Sequence, residues 1–452
     1  MDYDDLLLNW ADIMSFTDVR KKISERFSYV MIDEYQDTNK LQDKIIKKIA
    51  KREGNVLAVG DDSQSIYSFR AANIDNIINF SENYQSTKIF KLEMNYRSTS
   101  EILNMANSLI SNNKKRLEKE LKSNTTTEKE PEVLVFSNPL EQAEFIADYI
   151  ENNGNLKETA VLFRAHFHAV ELEMELTKRN IPYTSRGGVR FFEQFHVKDL
   201  IAFLRIFLNF RDSTSLERLF LRKKGVGEVT ARKISGKISE LDSLEQISTE
   251  KDNIVRLLHS SSISDSFYSL VKLIEENINK SIPEKIDSFL NDFYSDYLDF
   301  SFENSKDRKS DLKKIYEMSF DYEDLKDIIS DFSLSEDVGD RREDDSVVLS
   351  TIHQAKGLEW ETVFVVSLKE GDFPHIKAVE EDLIEEERRL FYVAVTRCKR
   401  NLFLTYPRYN FREKYIMPPS RFIKEAQGSP EDDLFFEGDE EIVESDDGWE
   451  VM

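Results

Sequence analysis

Val30 to Asn39 read VMIDEYQDTN, an apolar run that ends on two carboxylates, Asp33 and Glu34. A strand tip of this kind lies at the crevice of a parallel sheet, where ligands bind. Asp33 suits a Mg²⁺ ligand there. Glu34 suits the base that orients and deprotonates an attacking water. A solvated acidic turn accounts for the same residues equally well. Gly60 to Ala72, GDDSQSIYSFRAA, adds Gln64, whose side-chain amide can touch a terminal phosphate. Tyr67, Phe69 and Arg70 follow. Two aromatics and a cation within four residues suit stacking on unpaired bases, which tolerates any sequence because every base has a flat face. Core packing is the alternative for the rings.

Two arginines from distant segments, Arg97 in NYRS and Arg397 in VTRC, could serve the same chemistry. Phosphoryl transfer needs little covalent help, so cations and a metal carry most of it, and guanidinium forks fit phosphate oxygens. Either arginine alone is as well explained by a surface ion pair. Lys223 to Ile234, KKGVGEVTARKI, is a separate feature. Gly225 and Gly227 let main-chain N–H groups approach a phosphate, and a helix starting nearby adds its positive end. An ordinary turn between helices is the alternative. His166 and His168 flank Phe167 without acids or cysteines at metal-ligand spacing, so no metal role is assigned to them. Cys398 reads as a buried spacer.

Elements must carry these residues. FSYVMIDE and NVLAVGD read as buried strands and KIFKLEMNYRS as a third strand, and LQDKIIKKIA, with Leu41, Ile45 and Ile49 four apart, reads as one face of a helix. Strands alternating with helices predict a parallel sheet covered on both faces. Lys114 to Pro131 is polar and predicts a loop or ragged helix. TAVLFRAH reads as a core strand. RGGVRFFEQFHVKDLIAFLRIFLNF opens on a glycine pair, a turn signal, and continues as an amphipathic helix. From there to about Asp345 the chain reads as mostly helical. Strands return in SVVLSTIHQAKGLEWETVFVVSL and NLFLTYP, around a helix in EEERRLFYVAVTRCKR. A helical stretch between two α/β stretches predicts one domain inserted into another.

The whole chain of 452 residues suits two to four domains, and 40% hydrophobic with 33% charged residues is a globular balance. No apolar run approaches a bilayer span, and MDYDDLLLNW lacks the basic start of a secretion signal. That pattern expects no membrane partner, and one cysteine allows no internal disulfide, which fits a reducing, cytoplasmic setting. Net charge is −24, which taken alone argues against nucleic acid. Part of that excess is local, because Glu431 to Glu450 hold many acids and no Lys or Arg. The total is therefore a poor guide to any one cleft. This tail reads as disordered and solubilising. Its Phe435, Phe436, Ile442, Val443 and Trp449 leave docking on a protein partner as an alternative.

DEYQDTN, VGDDSQSIYSFRAA, LEMNYRST, TIHQAKGLEWETVFV and EEERRLFYVAVTR occur in the order and approximate spacing of motifs II to VI of the UvrD/PcrA/Rep helicases of superfamily 1, which move 3′ to 5′ along DNA. The resemblance covers roughly Tyr3 to Pro407. It implies an α/β fold of two RecA-like parallel-sheet motor domains, the first incomplete, with a mainly helical inserted accessory domain. The implied boundaries are 1–94 for the partial first motor, 95–185 and 346–425 for the second motor, 186–345 for the insertion and 426–452 for the acidic tail. It implies ATP and Mg²⁺ as cofactors, with single-stranded DNA and single/double-strand junctions as partners. Asp33 resembles the Mg²⁺ ligand, Glu34 the catalytic base and Gln64 the γ-phosphate sensor. Tyr96 is similar to the ring that stacks on adenine, Arg97 to a γ-phosphate contact, Glu359 to the ribose contact and Arg397 to the arginine finger. Tyr67 and Phe69, with Arg70 beside them, resemble the base-stacking platform, where the family usually has Trp in place of Phe69. The smaller ring implies a weaker grip. Thr351, His353 and Lys356 resemble DNA-side contacts. The segment around Gly225 and Gly227 resembles a helix-hairpin-helix grip on duplex backbone, at the place of the family's second accessory domain.

The family's GxxxxGK[ST] phosphate loop has no counterpart in these residues; SGKIS at Ser235 lacks the upstream glycine and the Ser/Thr after Lys. MDYDDLLL resembles the family segment where the path re-enters the first motor domain. Three readings follow. The sequence is a fragment of a longer helicase, which is the favoured one; or it is half of a split helicase whose N-terminal segment is a separate chain; or it is a non-hydrolysing DNA-binding or regulatory protein. The enzymatic reading expects an ATP-dependent helicase by family, with negligible ATP hydrolysis by this chain alone.

Overall fold

A computed structural model describes residues 2–50, 55–84, 86–125, 129–186, 190–256, 261–337, 345–410 and 415–428. The glycine pair 187–188 and the acidic tail lie outside the described residues. Strands run over Tyr29–Ile32 (β1), Asn55–Ala58 (β2), Met94–Asn95 (β3), Lys122–Ser123 (β4), Glu132–Phe136 (β5), Thr159–Phe163 (β6), Tyr183–Arg186 (β7), Val347–Thr351 (β8), Trp360–Val365 (β9) and Cys398–Pro407 (β10). The fold is mixed α/β with parallel sheets and many helices. It divides into two units. One holds Met1–Val135, Ala355–Arg408 and Met417–Met452; the other holds Phe136–Gln354 and Tyr409–Ile416.

In the first unit β1 pairs in parallel with β2, from Tyr29 opposite Asn55 to Ile32 opposite Ala58. The cover expected on both faces is not found here: Tyr29, Met31 and Leu57 are exposed, because this sheet has two described strands and its alternate residues face water. The crossover is the helix Lys40–Ile49. Asn39 and Gln42 cap its start reciprocally, its last turn carries Lys47 and Lys48, and it buries Ile45. β9 and β10 also run parallel, with Asn401 opposite Thr362 and Leu404 opposite Val365. β9 is buried at five of its six residues, as a strand covered on both faces must be. Helix Ile384–Val395 packs on helix Ser100–Ser111, which in turn packs on helix Arg421–Gln427. Cys398 is buried and free, and burial pushes its thiol up to about 12.

One expected strand is largely missing. Of Lys88–Ser98 only Met94 and Asn95 form a ladder, parallel to Lys122 and Ser123. Ile89, Phe90 and Leu92 are exposed. An extended apolar run becomes a strand only where a neighbour offers hydrogen bonds, and here the described neighbour is two residues long.

In the second unit β8 runs parallel to both β6 and β7, with Phe163 opposite Thr351 and Tyr183 opposite Val347. Helices fill the chain between β7 and β8, around a core that includes Leu200, Phe203, Phe220, Phe267, Phe289 and Ile315. Helix Phe195–Leu208, expected to be amphipathic, is instead buried on nearly every side because it runs through the middle of this core. Its Asp199 is fully buried. Arg218 Nε at 2.5 Å, Arg222 Nε at 2.7 Å and Tyr294 OH at 2.5 Å all donate to its carboxylate, so the charge is compensated. Among the described residues no helix is long and apolar enough to cross a membrane.

Candidate functional site

Asp33 and Glu34 follow the last residue of β1. Glu34 has φ 49° and ψ 42°, a left-handed conformation that costs a non-glycine residue on the order of 1 kcal/mol. Its neighbours hold it there. Tyr35 N donates to Val59 O at 3.0 Å and Asp37 N to Glu34 O at 2.9 Å. The buried Gln36 side chain spans the gap between strand exits, donating Nε2 to Glu34 Oε2 at 2.5 Å and accepting from Asp61 N at 3.0 Å. That bridge needs Gly60, because a Cβ there would lie 2.5 Å from Gln36 Oε1 and 2.7 Å from Ile77 Cδ1. Asp61 then takes Gln64 Nε2 at 2.8 Å, which aims the sensor candidate. Lys119 binds Asp61 and lies 2.8 Å from Asp62. Burial works against its charge, yet the two aspartates hold its pKa above the usual lysine range.

Lys356 reaches three of these groups. Its Nζ lies 2.6 Å from Asp37 Oδ2, 2.9 Å from Gln64 O and 3.5 Å from Glu34 Oε2, and 5.2 Å from the Tyr67 ring centre. Burial raises the Asp37 pKa, with Lys356 opposing, and Asp37 Oδ1 is buried without a partner among the described residues. The Tyr67 and Phe69 rings meet edge to face at 5.9 Å, and the Arg70 guanidinium sits 5.4 Å from each. Tyr67 is half-buried. Phe69 is 64% exposed, so an apolar ring stands in water where a base can cover it.

The arginines enter from later segments of the same unit. Asn95 Oδ1 accepts from Arg97 N at 2.8 Å and Ser98 N at 2.9 Å, an Asx turn that fixes the NYRS loop and leaves Tyr96 77% exposed. Arg97 pairs through Nε with Glu359 and reaches Thr396 O at 3.4 Å. That hydrogen bond holds the Glu359 carboxyl below the usual range. Arg397 is 2% exposed. It donates Nε to Val393 O at 3.1 Å, Nη1 to Leu358 O at 3.2 Å and Nη2 to Thr396 Oγ1 at 3.2 Å. Burial first, and then the like charge of Arg97, lowers its pKa to about 10, while Asp61 and Glu359 pull the other way. Asp33, Glu34, Gln64, Tyr67, Phe69, Arg70, Tyr96, Arg97, Lys356, Glu359 and Arg397 therefore belong to one unit. Contacts join the acidic tip, Gln64, Lys356 and the Tyr67–Phe69–Arg70 group, and separately Arg97, Glu359 and Arg397 through Thr396.

Thr351 and His353 belong to the second unit. Thr351 ends β8, His353 lies in the short helix Ile352–Ala355, and both are half-buried. Gly225 and Gly227 are there too, between packed helices Ser213–Phe220 and Glu228–Ser239. Gly225 has φ 85°, a conformation that favours glycine. Gly227 has φ −96° with open space around it, so its backbone suits any residue. The adjacent Lys223 ammonium lies 4.0 Å from the Phe293 ring centre, and burial lowers its pKa. It is therefore a packing lysine more than a free phosphate contact.

Gln36, Asn95 and Lys119 escaped the sequence reading. Gln36 lies inside the stretch that drew attention first, and its side chain braces both acids' strand exits. Lys119 sits in a charged loop where nothing in the spacing singled it out.

The residues fit a nucleotide with Mg²⁺. Among the described residues the exposed Asp33 carboxylate engages only Oδ1, with Glu34 N at 2.9 Å. Among the described residues no group of three acids, histidines or cysteines could hold a metal by itself. Mg²⁺ keeps several waters and usually takes one or two carboxylates beside substrate phosphates, so a single exposed carboxylate at a strand tip suits it.

Comparison with known proteins adds two family matches. The UvrD-like helicase C-terminal domain matches residues 90–409, and the UvrD/REP helicase N-terminal domain matches residues 1–85. An ATP-dependent DNA helicase PcrA of Staphylococcus epidermidis (strain ATCC 35984) is 34% identical over 459 residues, covering 96% of this chain and 62% of the relative. The PcrA helicase of Staphylococcus aureus (strain Mu50) is 35% identical over 465 residues, covering 95% and 62%. The chain thus spans a little under two thirds of the length of these relatives.

Proposed function

The chain belongs to the UvrD-like helicase family, and we propose that it forms the C-terminal portion of a cytoplasmic, ATP-dependent DNA helicase that moves 3′ to 5′ on single-stranded DNA in repair or replication. In this reading residues 1–94 are part of the first motor domain. Residues 95–185 and 346–425 form the second, and 186–345 are the inserted accessory domain. One observation carries it. The acidic strand tip, its Gln64 neighbour, the Tyr67/Phe69 platform and both arginines lie in one unit, where Lys356, seated in the acidic tip, and Glu359, paired with Arg97, belong to the same KGLEW segment.

Each residue has a role in that unit. Tyr96 offers its open face to adenine and Glu359 its carboxylate to the ribose. Asp33 would hold Mg²⁺, which neutralises charge on the phosphates when bound. Glu34, braced by Gln36, orients the attacking water and takes its proton. Gln64 and Arg97 contact the terminal phosphate. Arg397 is held by main-chain carbonyls in a dry setting, where its charge acts strongly on charge developing in the transition state. Lys356 touches the acid tip, the Gln64 carbonyl and the Tyr67 ring together. A change in phosphate occupancy there is thereby felt at the base-stacking platform. Thr351, His353 and the Gly225–Gly227 hairpin extend the DNA contacts, the hairpin to duplex backbone.

The test is DNA-stimulated phosphate release and single-strand binding by the purified chain. With no GxxxxGK[ST] in its 452 residues, the chain alone is expected to bind an oligonucleotide and release negligible phosphate. Adding the N-terminal part of a PcrA relative, carrying its phosphate loop, is expected to restore release. Binding that no added segment converts to hydrolysis favours a non-catalytic DNA-binding protein instead. Hydrolysis by the chain alone overturns the assigned need for that loop.

A further inference from the structure

A cavity of about 610 Å³, within the size range of ligand pockets, lies beside the Ser65–Ile74 segment. Two arginines line it from helix Ile384–Val395, and their circumstances differ. Arg388 has its donors engaged. Nε and Nη2 lie 2.5 and 2.8 Å from the two carboxylate oxygens of Glu425, and Nη1 lies 2.6 Å from Asn113 Oδ1. Arg389 is just as buried, 7% exposed, but among the described residues it donates only Nε, to Ser65 O at 2.7 Å. No carboxylate hydrogen bonds to it among the described residues. Glu386, Glu385 and Asp62 attract it only at longer range, and burial lowers its pKa in spite of them.

The acids of the cavity wall are partly committed elsewhere. Glu385 accepts from Lys114 N at 2.8 Å and Glu386 from Ser68 N at 3.1 Å; Asp382 lies at the rim, exposed. Lys115 is bound 2.5 Å from Asp75, whereas the exposed Lys114 ammonium has no ion pair among the described residues. A guanidinium taken out of water needs an anion, and its two Nη groups form a fork matched to phosphate oxygens. Ser68 lines this cavity and directly precedes Phe69.

We propose that this cavity binds a phosphate group through Arg389, with Lys114 as the second cation, and that the group is a phosphodiester of the strand stacked on Phe69. The proposal rests on the DNA-binding reading above and adds a contact to it.

The test is the salt dependence of binding of a labelled oligo-dT by the full chain, followed by fluorescence anisotropy. Arg389→Gln is expected to lower the slope of log K against log salt by about 0.7, the loss of one single-strand phosphate. Lys114→Gln, an exposed substitution, is expected to lower it comparably. Arg389→Lys keeps the charge and the slope but loses the fork, with weaker binding at every salt concentration. Phe69→Ala weakens binding without changing the slope, because stacking releases no counterion. Because Arg389 also holds Ser65 O, thermal melting checks each variant. Should Arg389→Gln not fold, Lys114→Gln decides. Wild-type slopes in the folded variants overturn the proposal. So does ³¹P line broadening of inorganic phosphate that Arg389→Gln abolishes while leaving oligonucleotide binding untouched, since the site would then serve a free phosphate. An absence of any oligonucleotide binding by the wild-type chain overturns the DNA-binding reading. The ³¹P measurement then still decides whether Arg389 binds phosphate.

Discussion

The Lys356 ammonium lies 2.6 Å from Asp37 Oδ2, so a residue of the KGLEW segment is seated in the acidic tip that follows β1. Both side chains are largely shielded, and Asp37 keeps a buried oxygen without a partner among the described residues. Lys356→Ala is expected to destabilise the chain at pH 7 by about 2 kcal/mol, the range of a hydrogen bond to a charged group. Burial has already raised the Asp37 pKa, with Lys356 holding it back. Stability linked to a raised carboxyl pKa is complete below the unfolded value and is lost as pH rises through the folded one. Wild type and variant should therefore converge as acid protonates Asp37. Denaturant unfolding across pH 4 to 8 checks this, and a gap that does not narrow in acid refutes it.

Glu173 offers a cleaner titration. It is fully buried and accepts from Phe191 N at 3.2 Å, and burial raises its pKa to about 8. With an unfolded value near 4.3, its contribution is fully present below about pH 4 and disappears as pH rises through about 8. Glu173→Gln keeps the acceptor and removes the ionisation. It should stabilise the second unit by roughly 4 kcal/mol at pH 7, rising to roughly 5 above pH 8, and by little at pH 4. Hydrogen exchange of the Phe191 region at both pH values measures this. Equal protection in the two proteins at pH 8 rules it out.

Phe69 stands exposed beside the Tyr67 edge, with Arg70 over both rings. Phe69→Ala should cost about 1–3 kcal/mol of single-strand affinity, the measured worth of one stacked base. Phe69→Trp should tighten binding by enlarging the face. Anisotropy with an oligonucleotide at fixed salt reports both, and a Phe69→Ala chain that binds as tightly as wild type removes the platform from the DNA path.

The hairpin glycines should behave unequally. Gly225→Ala forces a methyl-bearing residue into φ 85° and should lose about 1 kcal/mol of stability with weakened duplex binding. Gly227→Ala meets no neighbour within 4 Å and an ordinary backbone angle, so the fold should accept it. If Gly227→Ala nonetheless abolishes duplex binding, a ligand approaches that main chain closely. If neither substitution affects duplex binding, the hairpin is only a turn.

The pattern of residues foretold the large features for physical reasons. β1 and the helix after it show in apolar runs and four-residue spacing, and the acidic tip is a contiguous stretch. Arg97 and Glu359 were each singled out, but their pairing was not, because 262 positions separate them and no periodicity connects them. Gln36, Asn95 and Lys119 were missed for a related reason. They act on main-chain amides or on other side chains, and such contacts leave no composition signal. The Lys88–Ser98 run misled because strand propensity reports a willing segment, not an available partner. Helix Phe195–Leu208 misled because a buried carboxylate looks like a solvent face until its two arginines and tyrosine are seen.

Arg97 and Glu359 already hold one another. If Glu359 takes a sugar hydroxyl as proposed, Arg97 would lose its partner, and its guanidinium would become available to whatever anion the sugar carries. Arrival and activation would then be a single exchange of partners, and a visitor lacking that hydroxyl should leave the latch shut.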